Sequence, residues 1–499
     1  MVNQDDAAAP GGPPRPTLTT IRRSGDAPAE GHDIPSFFTV AQEGPEEEEE
    51  SSPFSAPEPG DIDEAEPEAG LFPRAPRSFG EVGLSKAFLS DLTLKILYYA
   101  GTPTVQQLTR RLGLNTEIVN ELITGLGEDR LVEVISQSDL YTGNYRYRLS
   151  ERGNARVSEA LERTRYAGMA PVTADQYSHV MNKLHAHKQE VPRARIKEIL
   201  NELVLDGDVG DHVSRALFSG KSAILYGPSG NGKTVILERF AKDLGGFWLV
   251  PAAIYAFGQV IRVFDPSIHQ VLTAEEEVAA IGAQARLDRR WLVVKRPAMV
   301  LGAEMDRDAL DMAYDPQSRF YQAPPHIKVQ GGALIVDDFG RQAIDAKELF
   351  TRWLIPLERG WDTLGLQSGE KLTLPFKTQI LFATNLRVKQ LADSSLLRRV
   401  LYKVHISGPT VQGFQEILRQ SCRQRNIVVE DGILDYIADC VYNEPRLKPR
   451  AAYTRDVLDM LVESAAFDGK KPVLDRESFD RVFRLFLAQE TEEEDDDWG

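Results

Sequence analysis

Apolar positions change their spacing several times along the chain, and each change marks an element. Within 84–99, Leu89, Leu92, Ile96 and Leu97 recur at three- and four-residue intervals, the period of one buried helix face. A break at Gly101, Thr102 and Pro103 precedes two shorter helical stretches, 104–112 and Thr116–Glu128, which Gly113 separates. Two alternating runs follow, 131–135 and Tyr145–Leu149, with Thr142, Gly143 and Asn144 as the turn between them. Strict alternation predicts a half-buried hairpin. Ser150 stands where helix Glu151–Arg163 needs an N-cap. Three helices and a hairpin predict a winged-helix domain over 79–170.

Before Phe79 no such period exists. Residues 1–78 are rich in Pro, Ala, Gly, Glu and Asp, and such a segment cannot bury enough apolar surface to offset its ordering entropy. It reads as a disordered tail, as does the acidic stretch 491–499. Pro171 and Pro192 bracket a stretch that reads as a connector, and the linker is assigned to 171–200. Amphipathic helices over 196–205 and 211–218 then lead into the short apolar run Ala223–Tyr226.

Composition narrows this picture only modestly. The chain has 499 residues, room for on the order of three domains. A net charge of −17 makes it a poor general binder of nucleic acid, since phosphate backbones are held by Lys and Arg. Helix Thr116–Glu128 sharpens that point. It carries Glu117, Glu121 and Glu128 and no Lys or Arg, although a helix that reads DNA needs basic and amide side chains. A docked protein is favoured over duplex DNA, which stays as the alternative. Cys422 and Cys440 are the only cysteines; they lack metal-ligand spacing and read as core thiols. No signal peptide opens the chain, and no apolar run approaches the ~20 residues of a membrane span. The expectation is a cytoplasmic protein without membrane insertion.

Candidate chemistry begins where Ala223–Tyr226 ends. Gly227, Pro228, Ser229, Gly230, Asn231, Gly232, Lys233 and Thr234 match G-x-x-x-x-G-K-[ST] between a buried strand and an amphipathic helix over 235–244. Such a loop turns successive N–H groups into one concavity at a helix N-terminus, which suits phosphate. Lys233 is placed to reach the β and γ phosphates of ATP, and the Thr234 hydroxyl to hold Mg²⁺. A second apolar strand within 332–340 ends in paired acids. Asp337 is the candidate Mg²⁺ ligand, and Asp338 the group that orients or deprotonates an attacking water. A third strand, over 379–385, ends at Asn385.

This order of motifs, with Leu396, Leu397, Arg398 and Arg399 beyond it, resembles the Walker A, Walker B, sensor-1 and arginine-finger elements of the AAA+ ATPases. The resemblance implies a multidomain α/β fold: a P-loop ATPase core with a parallel sheet over 201–408 and an α-helical lid over 409–490. In the lid, Tyr453-Thr-Arg-Asp-Val457 resembles the sensor-2 helix, which makes Arg455 the implied γ-phosphate contact. A bacterial group of winged-helix-containing, chaperone-like AAA+ proteins, some associated with pilus assembly, is similar in three further places. These are the runs from Asp337 to Gln342, from Phe264 to His269, and from Phe320 to Pro324. The junction from Tyr145 to Gly153 likewise resembles that of winged-helix domains. The resemblance implies a Mg²⁺-dependent ATPase that remodels or assembles a protein client. It also implies a ring homo-oligomer, by analogy a hexamer, in which Arg398 or Arg399 reaches a neighbour's nucleotide. This chain departs from the family by ending the strand in Asp-Asp rather than Asp-Glu. Glu304 is a conceivable substitute. His269 reads as structural, and 361–374 as an ordinary hairpin.

Overall fold

Five apolar runs form one parallel sheet: β1 (Ala223–Tyr226), β2 (Ala298–Leu301), β3 (Ala333–Val336), β4 (Gln379–Thr384) and β5 (Tyr402–His405). Their order across the sheet is β5-β1-β4-β3-β2, and every pair is parallel. Strands covered on both faces need continuous rather than alternating apolar character. Accordingly every residue of β3 and β4 is buried. Because β4 lies between β1 and β3, the carboxyl ends of three adjacent strands share one rim, where ligands bind in open parallel sheets.

The computed structural model describes residues 71–137, 145–187, 191–201, 203–205, 207–282, 286–392, 397–445 and 447–490. These lie in the larger of two units of the chain, Ala65–Gly499. Most of the expected tail, 1–70, the turn 142–144, Leu396 and the acidic stretch 491–499 lie outside the described residues.

The stretch expected as a linker over 171–200 is instead folded. Val172–Thr173 is a strand and Ala174–Ala186 a helix. Val172 pairs with Ile254, so this strand joins a second, five-stranded sheet with Ala253–Ala256, Gln259–Arg262, Ala313–Asp315 and Phe320–Gln322. The helix buries Tyr177, Val180, Met181 and Leu184 against that body's core. Burial of these four apolar residues outweighs the chain-breaking effect of Pro171. Most of this body is inserted between helix Lys233–Lys242 and β3. The hairpin of Trp361–Gly365 and Lys371–Pro375, found as expected, adds Leu364 and Leu374 to the same core.

The expected tail also ends earlier than 78. Leu71 and Phe72 pack on this second body, and Ala75 donates its N–H to the Arg286 carbonyl. Two apolar side chains and a short backbone pairing are enough to order the strap ahead of Phe79.

Helices Lys86–Ala100, Val105–Leu112, Thr116–Glu128 and Glu151–Arg163, with the antiparallel pair Val132–Gln137 and Tyr145–Leu149, make up the first body. Ser85, Thr104 and Ser150 cap three of these helices. This body is not separately mounted, for its core includes Ala253, Val260 and Phe320 of the second sheet. Arg290 fastens the joint. It is 2% exposed, pairs with Asp288 at 2.7 Å, and donates to the carbonyls of Val82 and Pro171. Loss of one partner from such a buried pair costs about 3–5 kcal/mol.

Beyond β5, helices Val411–Arg425, Ile433–Asn443, Ala452–Phe467 and Arg476–Glu490 form a helical body with its own core. Cys422 is buried there and Cys440 half-buried. Burial raises the Cys422 thiol to about 11, so it remains protonated near neutral pH.

Candidate functional site

β1 delivers the chain into residues 227–234, and the loop's shape depends on glycine. Gly227 has φ +148°, and a Cβ there would lie 2.1 Å from the Ile406 carbonyl oxygen. Gly230 has φ +78° and already meets Ala452 across the loop. A side chain at 227 requires backbone movement, whereas one at 230 meets a strained φ and a tight 3.0 Å approach to Ala452. Gly232 then opens helix Lys233–Lys242 with no side-chain cap, leaving the first-turn N–H groups for a ligand. Lys233 is buried, and its ammonium donates to the Gly227 and Pro228 carbonyls at 2.8 Å each. The positive charge is thereby held against the arm of the loop.

The loop and β3 meet directly. Thr234 Oγ1 donates to Asp337 Oδ1 at 2.6 Å, although 103 residues separate them. β4 joins from the other side, where Asn385 Nδ2 donates to Asp338 Oδ1 at 3.0 Å. Asp338 is exposed and has φ +47°, a left-handed conformation that costs a non-glycine residue on the order of 1–3 kcal/mol. Its neighbours hold it there. Phe339 is buried against Phe350 and Phe382, and its N–H donates to the Ala383 carbonyl. Thr384 Oγ1 in turn donates to the Phe339 carbonyl at 2.6 Å.

The helical body closes against the same loop. Ala452 N–H donates to the Gly230 carbonyl at 2.8 Å, and Ala451 N–H to Asn231 Oδ1 at 3.2 Å. Helix Ala452–Phe467 has no capping side chain of its own, so the loop caps it. Asn231 therefore turns its amide oxygen to the helical body.

Arg455, the expected γ-phosphate contact, is not engaged with the loop. Its side chain is 67% exposed and its Nε donates to Asp456. Arg450 runs beside the loop instead, with Cβ and Cδ each 3.6 Å from where a Gly230 Cβ would stand. Its guanidinium lies 5.9 Å from the Tyr453 ring centroid. The helix begins at Ala452, so the arginine against the loop is the one that precedes it. Arg398 and Arg399 are both exposed, and Arg399 pairs with Glu358 at 3.4 Å. Glu304 is turned to its own backbone. The Gly302 N–H, followed by its own, holds its carboxyl below the ordinary range. His269 is buried, with Nδ1 on the Asp265 N–H and Nε2 2.7 Å from the Lys328 carbonyl oxygen, which suits its structural reading.

The donor set suits magnesium. Mg²⁺ takes hard oxygen ligands and commonly uses one or two protein groups beside substrate phosphates; one hydroxyl and one carboxylate oxygen meet here. Among the described residues, no three or more His, Cys, Asp or Glu group into a metal cage, and no helix is long and apolar enough to cross a membrane.

Comparison with known proteins adds little to this geometry. A family model described as a domain of unknown function, DUF8689, matches residues 410–485, within the helical body. No curated protein matches the chain. Among solved structures, the RuvB Holliday junction branch migration motor of Thermotoga maritima is similar at 17% identity and a TM-score of 0.30, over 57% of this chain and 71% of that one. NtrX from Brucella abortus in complex with ATP is 10% identical with a TM-score of 0.34, covering 57% of each chain. Its complex with ADP is 11% identical with a TM-score of 0.35, over 66% of this chain and 65% of that one. Likeness at this level carries no functional argument. The mixed α/β architecture with its parallel sheet stands on the strand pairing itself.

Proposed function

We propose that this chain is a Mg²⁺-dependent ATPase whose turnover drives work on a protein partner. The observation that carries the proposal is the 2.6 Å contact between Thr234 and Asp337. It brings a hydroxyl at the start of the loop helix to a carboxylate at the end of a neighbouring strand. Residues 227–234 hold the triphosphate through backbone N–H groups and Lys233. Thr234 and Asp337 would hold Mg²⁺, which when bound neutralises charge on the phosphate oxygens. Asp338 orients the attacking water and accepts its proton, while Asn385 keeps the carboxylate in place.

Arg450, rather than Arg455, is proposed to contact the terminal phosphate. Arg450→Ala is expected to weaken ATP affinity by roughly tenfold, in line with the loss of a charge-assisted bond, while Arg455→Ala leaves it within about twofold. Titration with a fluorescent ATP analogue reads both; the opposite ranking would restore Arg455. Exposure of Arg398 and Arg399 supports assembly of copies in which one of these residues completes a neighbour's site. Sedimentation with ATP and Mg²⁺ tests that, and a chain that stays monomeric at high concentration would count against it.

The exposed face of helix Thr116–Glu128 presents Glu117, Asn120, Glu121, Thr124 and Glu128. That acidic face supports a protein partner over duplex DNA. A DNA-directed role would instead give binding that falls steeply with salt. The ATPase reading itself is tested by phosphate release from ATP and Mg²⁺. Steady turnover that stops when the metal is chelated is expected, and its absence at high protein concentration would overturn the reading.

A further inference from the structure

We infer that Gln342 is a positioning residue for hydrolysis: its amide clamps the turn that aims Asp338, an inference that rests on the ATPase reading above. Gln342 Nε2 donates to the Asp337 carbonyl at 2.6 Å, and Gln342 Oε1 accepts from the Gly340 N–H at 2.8 Å. One side chain thus closes a bridge across Asp338 and Phe339. The Asp337 carbonyl belongs to the peptide plane that joins Asp337 to Asp338, so fixing that oxygen fixes the direction in which Asp338 leaves the chain.

The other side of the turn is already held. Phe339 is fixed through its N–H, its carbonyl and its ring, and Asp338 has φ +47°. A residue in that conformation relaxes toward ordinary backbone angles when its flanking peptides are free. The Gln342 amide holds the first of them. The amide's other partner, Gly340, has φ +101°, and a Cβ there would come within 2.6 Å of Leu386, so this half of the turn is shaped by contact with the segment after β4. Gln342 contacts neither Thr234 nor Lys233 among the described interactions. It reaches Asp337 only at the main-chain carbonyl, not at the carboxylate oxygen that meets Thr234, so its effect is directed through the peptide plane onto Asp338.

Gln342→Met keeps the length of the side chain and removes both hydrogen bonds. In the full chain it is expected to lower kcat by about tenfold to hundredfold, the range that follows when a reacting group is misplaced by about 1 Å. The KM and equilibrium affinity for ATP should stay within about twofold, with the thermal midpoint unchanged. Gln342→Glu retains an acceptor for Gly340 but no donor for Asp337, and is expected to fall between the two. A kcat equal to that of the unmodified chain in Gln342→Met would overturn the inference. So would a joint loss of kcat, ATP affinity and thermal midpoint, which marks a merely structural role. Failure of the underlying ATPase reading has a different signature: the unmodified chain itself would show no turnover.

Discussion

Lys233→Ala is expected to reduce ATP affinity by at least a hundredfold, more than the roughly tenfold expected of Arg450→Ala. Two contributions lead there. The ammonium is the only basic side chain in residues 227–234, and a charge-assisted bond to phosphate is stronger than a neutral one. The side chain is also buried and bonded to two loop carbonyls, so its removal loosens the arm that frames the concavity. Loss of a charged, desolvated partner is worth on the order of 3 kcal/mol or more, about a hundredfold in affinity. The helix Lys233–Lys242 is otherwise anchored by buried Ile236, Leu237 and Phe240, so the fold should survive. Calorimetric titration of ATP, with circular dichroism as the control for folding, checks both statements. Retained affinity would remove Lys233 from the site.

Asp338→Asn is expected to reduce turnover by roughly a hundredfold to ten-thousandfold, the range for loss of a general base, while ATP still binds. The substitution is informative because it conserves so much. Asparagine is among the few residues that tolerate a positive φ, so the φ of +47° at this position is not a barrier. Its amide oxygen can still accept from Asn385 Nδ2, replacing the carboxylate of the 3.0 Å contact. Only charge and basicity are removed. Single-turnover phosphate release measures the effect, and full activity in this variant would move the base elsewhere. The left-handed turn also bears on the departure from Asp-Glu. Aspartate is a methylene shorter than glutamate, and here the backbone conformation, rather than side-chain length, sets where the carboxylate stands.

The parts of the site that were legible in the sequence share one physical property. β1, β3 and β4 are buried on both faces, so they read as unbroken apolar runs, and each run leads directly into residues proposed to carry chemistry. Helices with strong caps were equally plain: Ser150 marks Glu151–Arg163, and Thr104 with Gln107 forms a capping box at Val105–Leu112. The second sheet was not legible. Its strands are two to four residues long, too short for a period, and Val172 finds its partner Ile254 far along the chain. Pro171 reads as a break in sequence, yet its carbonyl is an acceptor for buried Arg290. The position of Arg450 beside the loop was not legible for a related reason. Arg455 lies in the apolar-periodic part of its helix, whereas Arg450 lies in the turn before it, and only the contact of Ala452 with Gly230 reveals which is near the loop. Gln342 carried no local signal, because both of its bonds go to backbone.

The central claim is that Thr234 and Asp337 jointly hold the metal that accompanies ATP. Its most direct test is the Mg²⁺ dependence of ATP affinity in the full chain, in Thr234→Val, in Asp337→Asn and in the double variant. Mg²⁺ is predicted to strengthen ATP binding by about tenfold or more in the unmodified chain, equivalent to roughly 1.4 kcal/mol. Either single variant should lose most of that gain, and the double variant little more, as groups that share one ion are not additive. A Mg²⁺ effect that persists undiminished in both single variants would contradict the account.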